Sequence, residues 1–499
     1  MKFTVGRVGS QVRSCRSLNL PFVVKRAFSL SDRKNDLSAS YEEKDFLKLV
    51  EIDNIDEYFK DLSPFPSYSN ILNPQHFFQN EVLSSYLRKE AHAVSLRQLA
   101  GYGKTLTKQK IINSANFVRL ELPIRLALRI RDLQTLPFGV VNNFHLAQIY
   151  ESYYHSFNAF RKIPPITTLQ DNDKFCDVLS RLLDDHIFNL SHQMMGALEV
   201  SILGSLPQEE LDQFMSTMLR SRMSRRLIVQ EHLSLSENYK KHPYSKKPPD
   251  YIGELFDQCS PMEHLRSVEA SVKDSMVSLY PNKENMPDLE IEGDTEATFP
   301  FISPHLHYII GEILRNSYEA TIKVHQHRTS RKLPPIKVTV VNSKTDILFR
   351  FSDQGGGIKH DDLARIWSFG KSAELAMVSL ANFHRIPGLQ LYSNLKFTQA
   401  GSSVVSPSSD KTSNQLFEKT SIGEIDQPSS IKSKKSTLET LITRSNEYKL
   451  GLGLPMCKVY ADYWHGDLSM NSLEGYGCDT CLSIRKLGYH SNIVQLDRA

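Results

Sequence analysis

The spacing of apolar residues changes once along this chain, near residue 250, and the change divides it into two architectures. From about 72 to 235, apolar side chains recur every three or four residues, the period that gathers them on one side of a helix. Ala115 to Leu133 (ANFVRLELPIRLALRIRDL) is the clearest stretch, and 140–160, 172–200 and 208–232 repeat the pattern. Pro164-Pro165 and Gly204 to Pro207 fall between these stretches, where the corners of an antiparallel bundle need helix breakers. The expectation is an N-terminal all-α domain resembling a four-helix bundle. Residues 236–250, with Lys241, Lys246, Lys247, Pro248 and Pro249, read as an exposed loop that closes it.

Beyond 250 helix and strand patterns alternate. Helices are expected at 261–278, 304–324 and about 454–464, with a strand or ordered coil around 288–301. IKVTVV (336–341) and DILFRFS (346–352) read as two strands joined by a short polar turn, and another strand falls near 479–485. This mixture predicts a C-terminal α+β domain with one mixed sheet covered by helices on one face. Residues 401–440 interrupt it with 11 Ser and 4 Thr among scattered charges and little periodicity, which predicts a mobile, solvated insertion.

Composition limits the function classes. With 40% apolar and 23% charged residues, 499 residues can build two or three cores and are too apolar for general disorder. The net charge of +4 is unevenly distributed: residues 1–28 carry six cations (Lys2, Arg7, Arg13, Arg16, Lys25, Arg26) and no carboxylate. Removing those six from 60 leaves 54 basic against 56 acidic residues, so the rest gives no argument for nucleic-acid binding. The basic segment resembles a mitochondrial presequence, with Arg26-Ala27-Phe28-Ser29 as a processing site, and implies the mitochondrial matrix. No run reaches the roughly 18 to 20 apolar residues of a membrane span. Cysteines at 15, 176, 259, 457, 478 and 481 are too scattered for a disulfide framework, and Cys478-Asp-Thr-Cys481 lacks a second ligand pair for zinc.

Three features carry chemistry. In Glu312-Ile-Leu-Arg315-Asn316-Ser-Tyr-Glu319, helical spacing puts Glu312, Arg315, Asn316 and Glu319 on one side and Ile309, Ile310, Ile313 and Leu314 along the other. Asp353-Gln-Gly355-Gly356-Gly357 follows a strand directly; its glycines permit close backbone approach to a ligand, and its carboxylate can accept from an exocyclic amine such as adenine's. Gly451-Leu452-Gly453-Leu454-Pro455 opens a helix whose first amides can face phosphate oxygens. Each alone fits a bland feature: a solvated helix face, a flexible turn, an ordinary helix start. In this order they are specific. Gly103-Lys104-Thr105 is not a phosphate-binding loop, because Gln98 stands where the first glycine belongs. Phe77-Phe78 and Tyr153-Tyr154 read as bundle core, since cations do not interleave with them.

Residues 304–482 resemble the Bergerat (GHKL) nucleotide-binding domain of gyrase, histidine kinases and MutL, and within it the mitochondrial kinases of the pyruvate dehydrogenase and branched-chain ketoacid dehydrogenase complexes. Gly466-Asp-Leu-Ser469 and Ser472-Leu-Glu-Gly-Tyr-Gly477 are similar to the closing stretch of the mitochondrial kinases, and ELPIRLA (121–127), YYHSF (153–157) and RMSRRL (222–227) extend the likeness into the bundle. The resemblance implies ATP and Mg²⁺ as cofactors: Asn316 would supply a carbonyl oxygen to Mg²⁺, Asp353 would recognise the adenine amine, and Gly355 and Gly357 would make room for the nucleotide. Glu312 would orient and deprotonate a serine hydroxyl, with Arg315 close enough to hold its charged form or to steady the transferring phosphate. Gly451, Leu452, Gly453 and Leu454 would form the lid on the phosphates, with Glu319, Ser372 and Thr480 completing the nucleotide site.

The implied activity is ATP-dependent serine phosphorylation of the α subunit of mitochondrial pyruvate dehydrogenase, inactivating the complex. The alternatives are the branched-chain 2-oxoacid dehydrogenase as substrate, or a non-catalytic ATP-binding scaffold. Implied partners are a lipoyl domain of the acyltransferase core and a second kinase subunit, identical or paralogous. The expected division is a presequence 1–28, an extension 29–71, a docking bundle 72–250 and a kinase domain 251–499. Three positions depart from the family pattern. Tyr308 replaces a supporting histidine and is expected to hydrogen-bond Glu312 one turn on; Lys449 replaces a lid glycine and is expected to meet phosphate or water; the tail after Leu487 lacks an Asp-Trp pair. Histidine autophosphorylation is disfavoured because nothing around His186 or His192 resembles a phosphoacceptor hairpin.

Overall fold

The computed structural model describes residues 74–487, apart from 96–97, 99–102, 142, 187, 244–245, 248–250, 252, 278, 282, 327–331 and 387–436, together with 495–496. The expectations for 1–28, 29–71 and 401–436, and for the side chains of Phe77 and Phe78, lie outside the described residues.

The helical part comprises α1 (Pro74–Leu87), strand β1 (Val94–Ser95), α2 (Lys108–Gln134), α3 (Phe138–Val141), α4 (Phe144–Phe160), α5 (Leu169–Asp185), α6 (Asn189–Leu203) and α7 (Gln208–Lys241). Side-chain caps start three of these. Thr107 accepts the amide of Lys110, Asn143 those of His145 and Leu146, and Thr168 closes a capping box with Asp171. Gly204 ends α6 with φ 57°, where a side chain is disfavoured. The apolar stripes meet in a core containing Tyr153, Tyr154 and Phe157, as their pattern predicts. Two expectations are corrected. The 172–200 stretch is two helices broken at 186–188, and the presumed loop at 236–250 begins as helix, because Leu235 and Ser236 continue the buried side of α7.

The second part contains β2 (Asp257–Cys259), α8 (Pro261–Ser275), β3 (Leu289–Gly293), β4 (Phe299–Phe301), α9 (Ser303–His325), β5 (Ile336–Asn342), β6 (Asp346–Ser352), α10 (His360–Leu363), α11 (Ala373–Arg385), α12 (Thr437–Ile442), α13 (Gly453–Tyr463), β7 (Asp467–Leu473), β8 (Gly477–Arg485) and β9 (Gln495–Leu496). Its sheet runs β3-β5-β6-β8-β7, with β3 and β5 parallel and the other neighbours antiparallel. Alternation decides its faces. Val338, Val340, Ile347, Phe349, Phe351, Leu482 and Ile484 are buried on the helix side, while Lys337, Leu348, Arg350 and Cys481 lie on the other. The expected sheet covered on one face is therefore present. The mobile insertion was drawn too long at its end: Thr437 to Thr440 belong to α12, which buries Thr437, Leu441 and Ile442.

The two parts are joined by polar contacts. Asp212 near the start of α7 accepts the amides of Phe369 (2.6 Å) and Gly370 (3.2 Å), Gln208 donates to Ser368 (2.8 Å), and Ser224 shares a hydrogen bond with Tyr463 (2.9 Å). Glu231 of α7 accepts the amide of Glu254 on both oxygens, at 3.2 and 3.1 Å. Burial raises its pKa from 4.5 to about 7, only partly opposed by that amide. The folded state therefore holds a proton that the unfolded chain has lost between about pH 4.5 and 7, so stability falls as pH rises through that window. Glu231→Gln should remove a penalty on the order of 3 kcal/mol above pH 7 and change little near pH 5. The check is the melting temperature of variant and parent across pH 5 to 8; a difference that stays flat contradicts the assignment.

Candidate active site

Helix α9 positions most of the site because it is buried on two sides. Leu306, Ile309, Ile310, Ile313 and Leu314 are in the core, and Lys323 and His325 sit in the last turn, where cations suit the helix dipole. Half of the polar side is not solvated either: Glu312 and Arg315 are only 1% and 4% exposed. What covers them is the stretch 437–453. Arg444 donates to both Glu312 oxygens, at 2.5 and 3.0 Å, and Arg315 donates to the carbonyls of Ile442 (3.4 Å), Arg444 (2.7 Å) and Ser445 (2.8 Å).

Beside this lies a cavity of about 190 Å³, lined among others by Asn316, Ser317, Asp353, Gly355, Gly357, Leu454 and Thr480. Asp353 sits one residue past β6. Its Oδ1 accepts the amides of Gly355 (2.9 Å) and Cys478 (3.2 Å), and its Oδ2 accepts the Ser317 hydroxyl (2.9 Å). Burial raises its pKa and these three donors oppose the rise. Gly357 has φ 72°, and a Cβ there would overlap the carbonyl of Leu473, so only glycine lets this turn lie against β7. Asn316 is exposed and has no hydrogen-bond partner among the described residues, leaving its carboxamide available to a ligand. A fixed carboxylate at one end, a free carboxamide on the helix and a glycine-lined wall have the chemistry to receive a nucleotide.

At the other end Gly451 has φ 66°, and Gly453 opens α13. A Cβ on Gly453 would overlap the Glu312 carboxylate, so that glycine sets how closely the helix start approaches the carboxylate. Leu452 is buried. Thus Asn316, Asp353, Gly355, Gly357, Leu454 and Thr480 share one cavity, with Glu312 and Gly453 in contact nearby. Glu319, Ser372, Gly451 and Leu452 do not line it. Ser372 caps α11 by accepting the amide of Leu375 (3.4 Å).

Several expected contacts are different. Tyr308 does not bond Glu312; its hydroxyl donates to Met456 Sδ at 3.6 Å, because the Glu312 oxygens are taken by Arg444. Neither neighbouring histidine substitutes. His305 accepts from Trp464 Nε1 (3.1 Å), and His307 packs toward His264. Lys449 faces solvent, as expected, and also pairs with Glu319, which holds Lys323 at 2.6 Å. Arg315 spends its donors on backbone carbonyls. His186 is half-buried and His192 buried in the bundle, their pKa values pushed down to about 3 by desolvation first. Cys478 and Cys481 are free thiols, and Gly103 to Thr105 pack against Tyr251 and Lys246. Arg444 was missed, since a partner 132 residues away leaves no trace in helical spacing.

A helical bundle joined to this mixed sheet, with an Asp-Gly-Gly-Gly turn and a Gly-Leu-Gly helix start around one cavity, defines a protein kinase built on the Bergerat nucleotide-binding fold. The family model described as mitochondrial branched-chain alpha-ketoacid dehydrogenase kinase matches residues 93–256. The pyruvate dehydrogenase (acetyl-transferring) kinase 2 of Saccharomyces cerevisiae is 43% identical over 453 residues, covering 88% of this chain and 91% of the relative. The corresponding kinases of Arabidopsis thaliana and Drosophila melanogaster are 28% and 23% identical over 400 and 425 residues, covering 90% and 86% of those relatives. The chain belongs to the family of mitochondrial pyruvate dehydrogenase and branched-chain ketoacid dehydrogenase kinases.

Asp353→Asn keeps the side-chain volume but replaces a charged acceptor. A charge-assisted hydrogen bond contributes about 1.5–3 kcal/mol, so ATP affinity should fall about 10- to 100-fold. Titration calorimetry checks this; an unchanged Kd would remove Asp353 from the adenine contact.

Proposed function

We propose that this chain is an ATP-dependent protein serine kinase that phosphorylates the α subunit of mitochondrial pyruvate dehydrogenase and thereby inactivates the complex. The observation that carries the reading is the placement of a buried carboxylate, Glu312, against the glycine that opens α13, one helical turn from the free carboxamide of Asn316 at the cavity. Phosphoryl transfer asks a protein mainly to position groups and compensate charge. Mg²⁺ bound with ATP would supply charge neutralisation on the phosphates. Asn316 would hold that ion by its carbonyl oxygen, Asp353 would fix the adenine end, and the amides of the Gly451–Leu454 turn would face phosphate oxygens. Glu312 would orient the serine hydroxyl and take its proton. Arg315 anchors the 442–445 backbone and so acts by positioning Arg444 and the turn beyond it.

The yeast, plant and fly relatives are named for pyruvate dehydrogenase, which favours that substrate over the branched-chain enzyme. Their names also place them in mitochondria, which supports the matrix address read from residues 1–28. The helical region 72–250 is assigned to docking on a lipoyl domain, 251–499 to catalysis, and a second kinase subunit completes the assembly. Purified α subunits of both complexes, given labelled ATP, Mg²⁺ and either parent or Glu312→Gln, test the reading. Transfer to pyruvate dehydrogenase should fall at least about 100-fold in the variant, the scale of a general base, while ATP binding persists. ATP binding by both proteins with transfer by neither would leave a scaffold, and preference for the branched-chain subunit would reassign the substrate.

A further inference from the structure

Glu312 lies under a cover that supplies one ionic partner, and this deepens the reading of Glu312 as the base, on which it rests. Four groups from three elements face it: Tyr308 and Arg315 on α9, Cys457 on α13, and Arg444 just past α12. The first three are otherwise engaged or uncharged. The Tyr308 hydroxyl points to Met456, burial followed by the Glu312 charge holds the Cys457 thiol protonated, and Arg315 is used up on carbonyls. Arg444 alone among these puts a charged donor on each carboxylate oxygen, and its side chain is 6% exposed against 2% for Glu312.

The arginine is itself held. Its Nε donates to the carbonyl of Tyr448 (3.2 Å) and its Nη1 also reaches the carbonyl of Leu441. Its backbone is gripped by Arg315, and Asn446 donates its amide to Ser275 (3.3 Å). A rigid, planar fork on a carboxylate fixes the plane of that carboxylate as well as its charge. We infer that Arg444 is the positioning residue of the transfer reaction: it pairs with the Glu312 carboxylate and orients it at the start of α13, the service that Tyr308 cannot perform from one turn earlier. One lone pair on each oxygen then remains for a hydroxyl hydrogen. In the step itself the serine O–H proton passes to Glu312, the serine oxygen bonds to the transferred phosphorus as ADP leaves, and Arg444 keeps its protons.

Removing Arg444 takes the ionic partner from a buried carboxylate, which disfavours the charged form, so the expected outcome is an acid limb of the rate profile moved to higher pH. The test is kcat for transfer to the pyruvate dehydrogenase α subunit from pH 6 to 9, for the full chain as parent, Arg444→Met, Arg444→Lys and Glu312→Gln, with ATP binding as the check on folding. Arg444→Met should lose at least about tenfold at pH 6.5 and recover partly by pH 8.5, with its acid limb up by at least about one unit. Arg444→Lys, which keeps charge but not the fork, should show a smaller shift in the same direction, and it decides alone if the Met variant does not fold. Acid limbs that do not move, or rates that rise at every pH, overturn the role of Arg444 while a dead Glu312→Gln leaves the base in place. Full transfer by Glu312→Gln overturns the base itself.

Discussion

A carboxylate buried in the middle of a core helix needs a cation brought to it, and the Glu312–Arg444 pair meets that need with a segment from the far side of the 387–436 stretch. Breaking such a pair leaves an uncompensated charge and costs about 3–5 kcal/mol, so the segment that carries Arg444 is fixed to α9. Arg315 adds three carbonyl contacts, and at Gly311 an added Cβ would press on the Ile442 side chain. The chain emerging from this anchor reaches Gly451 and Gly453 within a few residues. The start of α13 is thus placed by an ion pair and a backbone grip, with its glycines setting how closely it lies on Glu312.

The other end of the site depends on the sheet. Asp353 follows β6 and Cys478 lies on β8, and register brings the Cys478 amide onto the Asp353 carboxylate. The bundle reaches toward the same region from outside. Asp212 near the start of α7 caps the amides of Phe369 and Gly370, and the next residue, Lys371, lies beside Gly451 with its pKa lowered to about 8, by burial against the pull of Asp212. A load on the bundle therefore bears on residues adjoining the helix start, a physical link between the proposed docking region and the proposed chemistry.

Local signals were legible in the sequence and long-range ones were not. Periodicity placed α9, β5 and β6 nearly at their ends and found α2 while missing its first two turns, and the Asp-Gly-Gly-Gly turn after a strand marked the cavity. The polar stripe on α9 was recognised but its surroundings were not: helical spacing says that Glu312 and Arg315 share a face and cannot say that a remote arginine and a row of carbonyls bury it. The same blindness misplaced Tyr308, whose partner Met456 is chosen by tertiary packing, and gave no sign that the exposed Lys449 would pair with Glu319. Serine-rich composition concealed α12, because six residues carry too little period to announce a helix that packing supplies. Inside α7 the pattern ran on past residue 235, and the cluster of lysines and prolines beyond it drew the boundary too early.

The central claim is that one nucleotide spans from Asp353 to the start of α13, with Glu312 held by Arg444 at the phosphate end. A crystal structure of the full chain with Mg²⁺ and a non-hydrolysable ATP analogue measures this directly. The account predicts the adenine amine on the Asp353 carboxylate, the metal on the Asn316 oxygen, the phosphates at the Gly451–Leu454 amides and the Arg444 fork still on Glu312. An adenine bound away from Asp353, or a Glu312 carboxylate parted from Arg444 when the phosphates are in place, would contradict it.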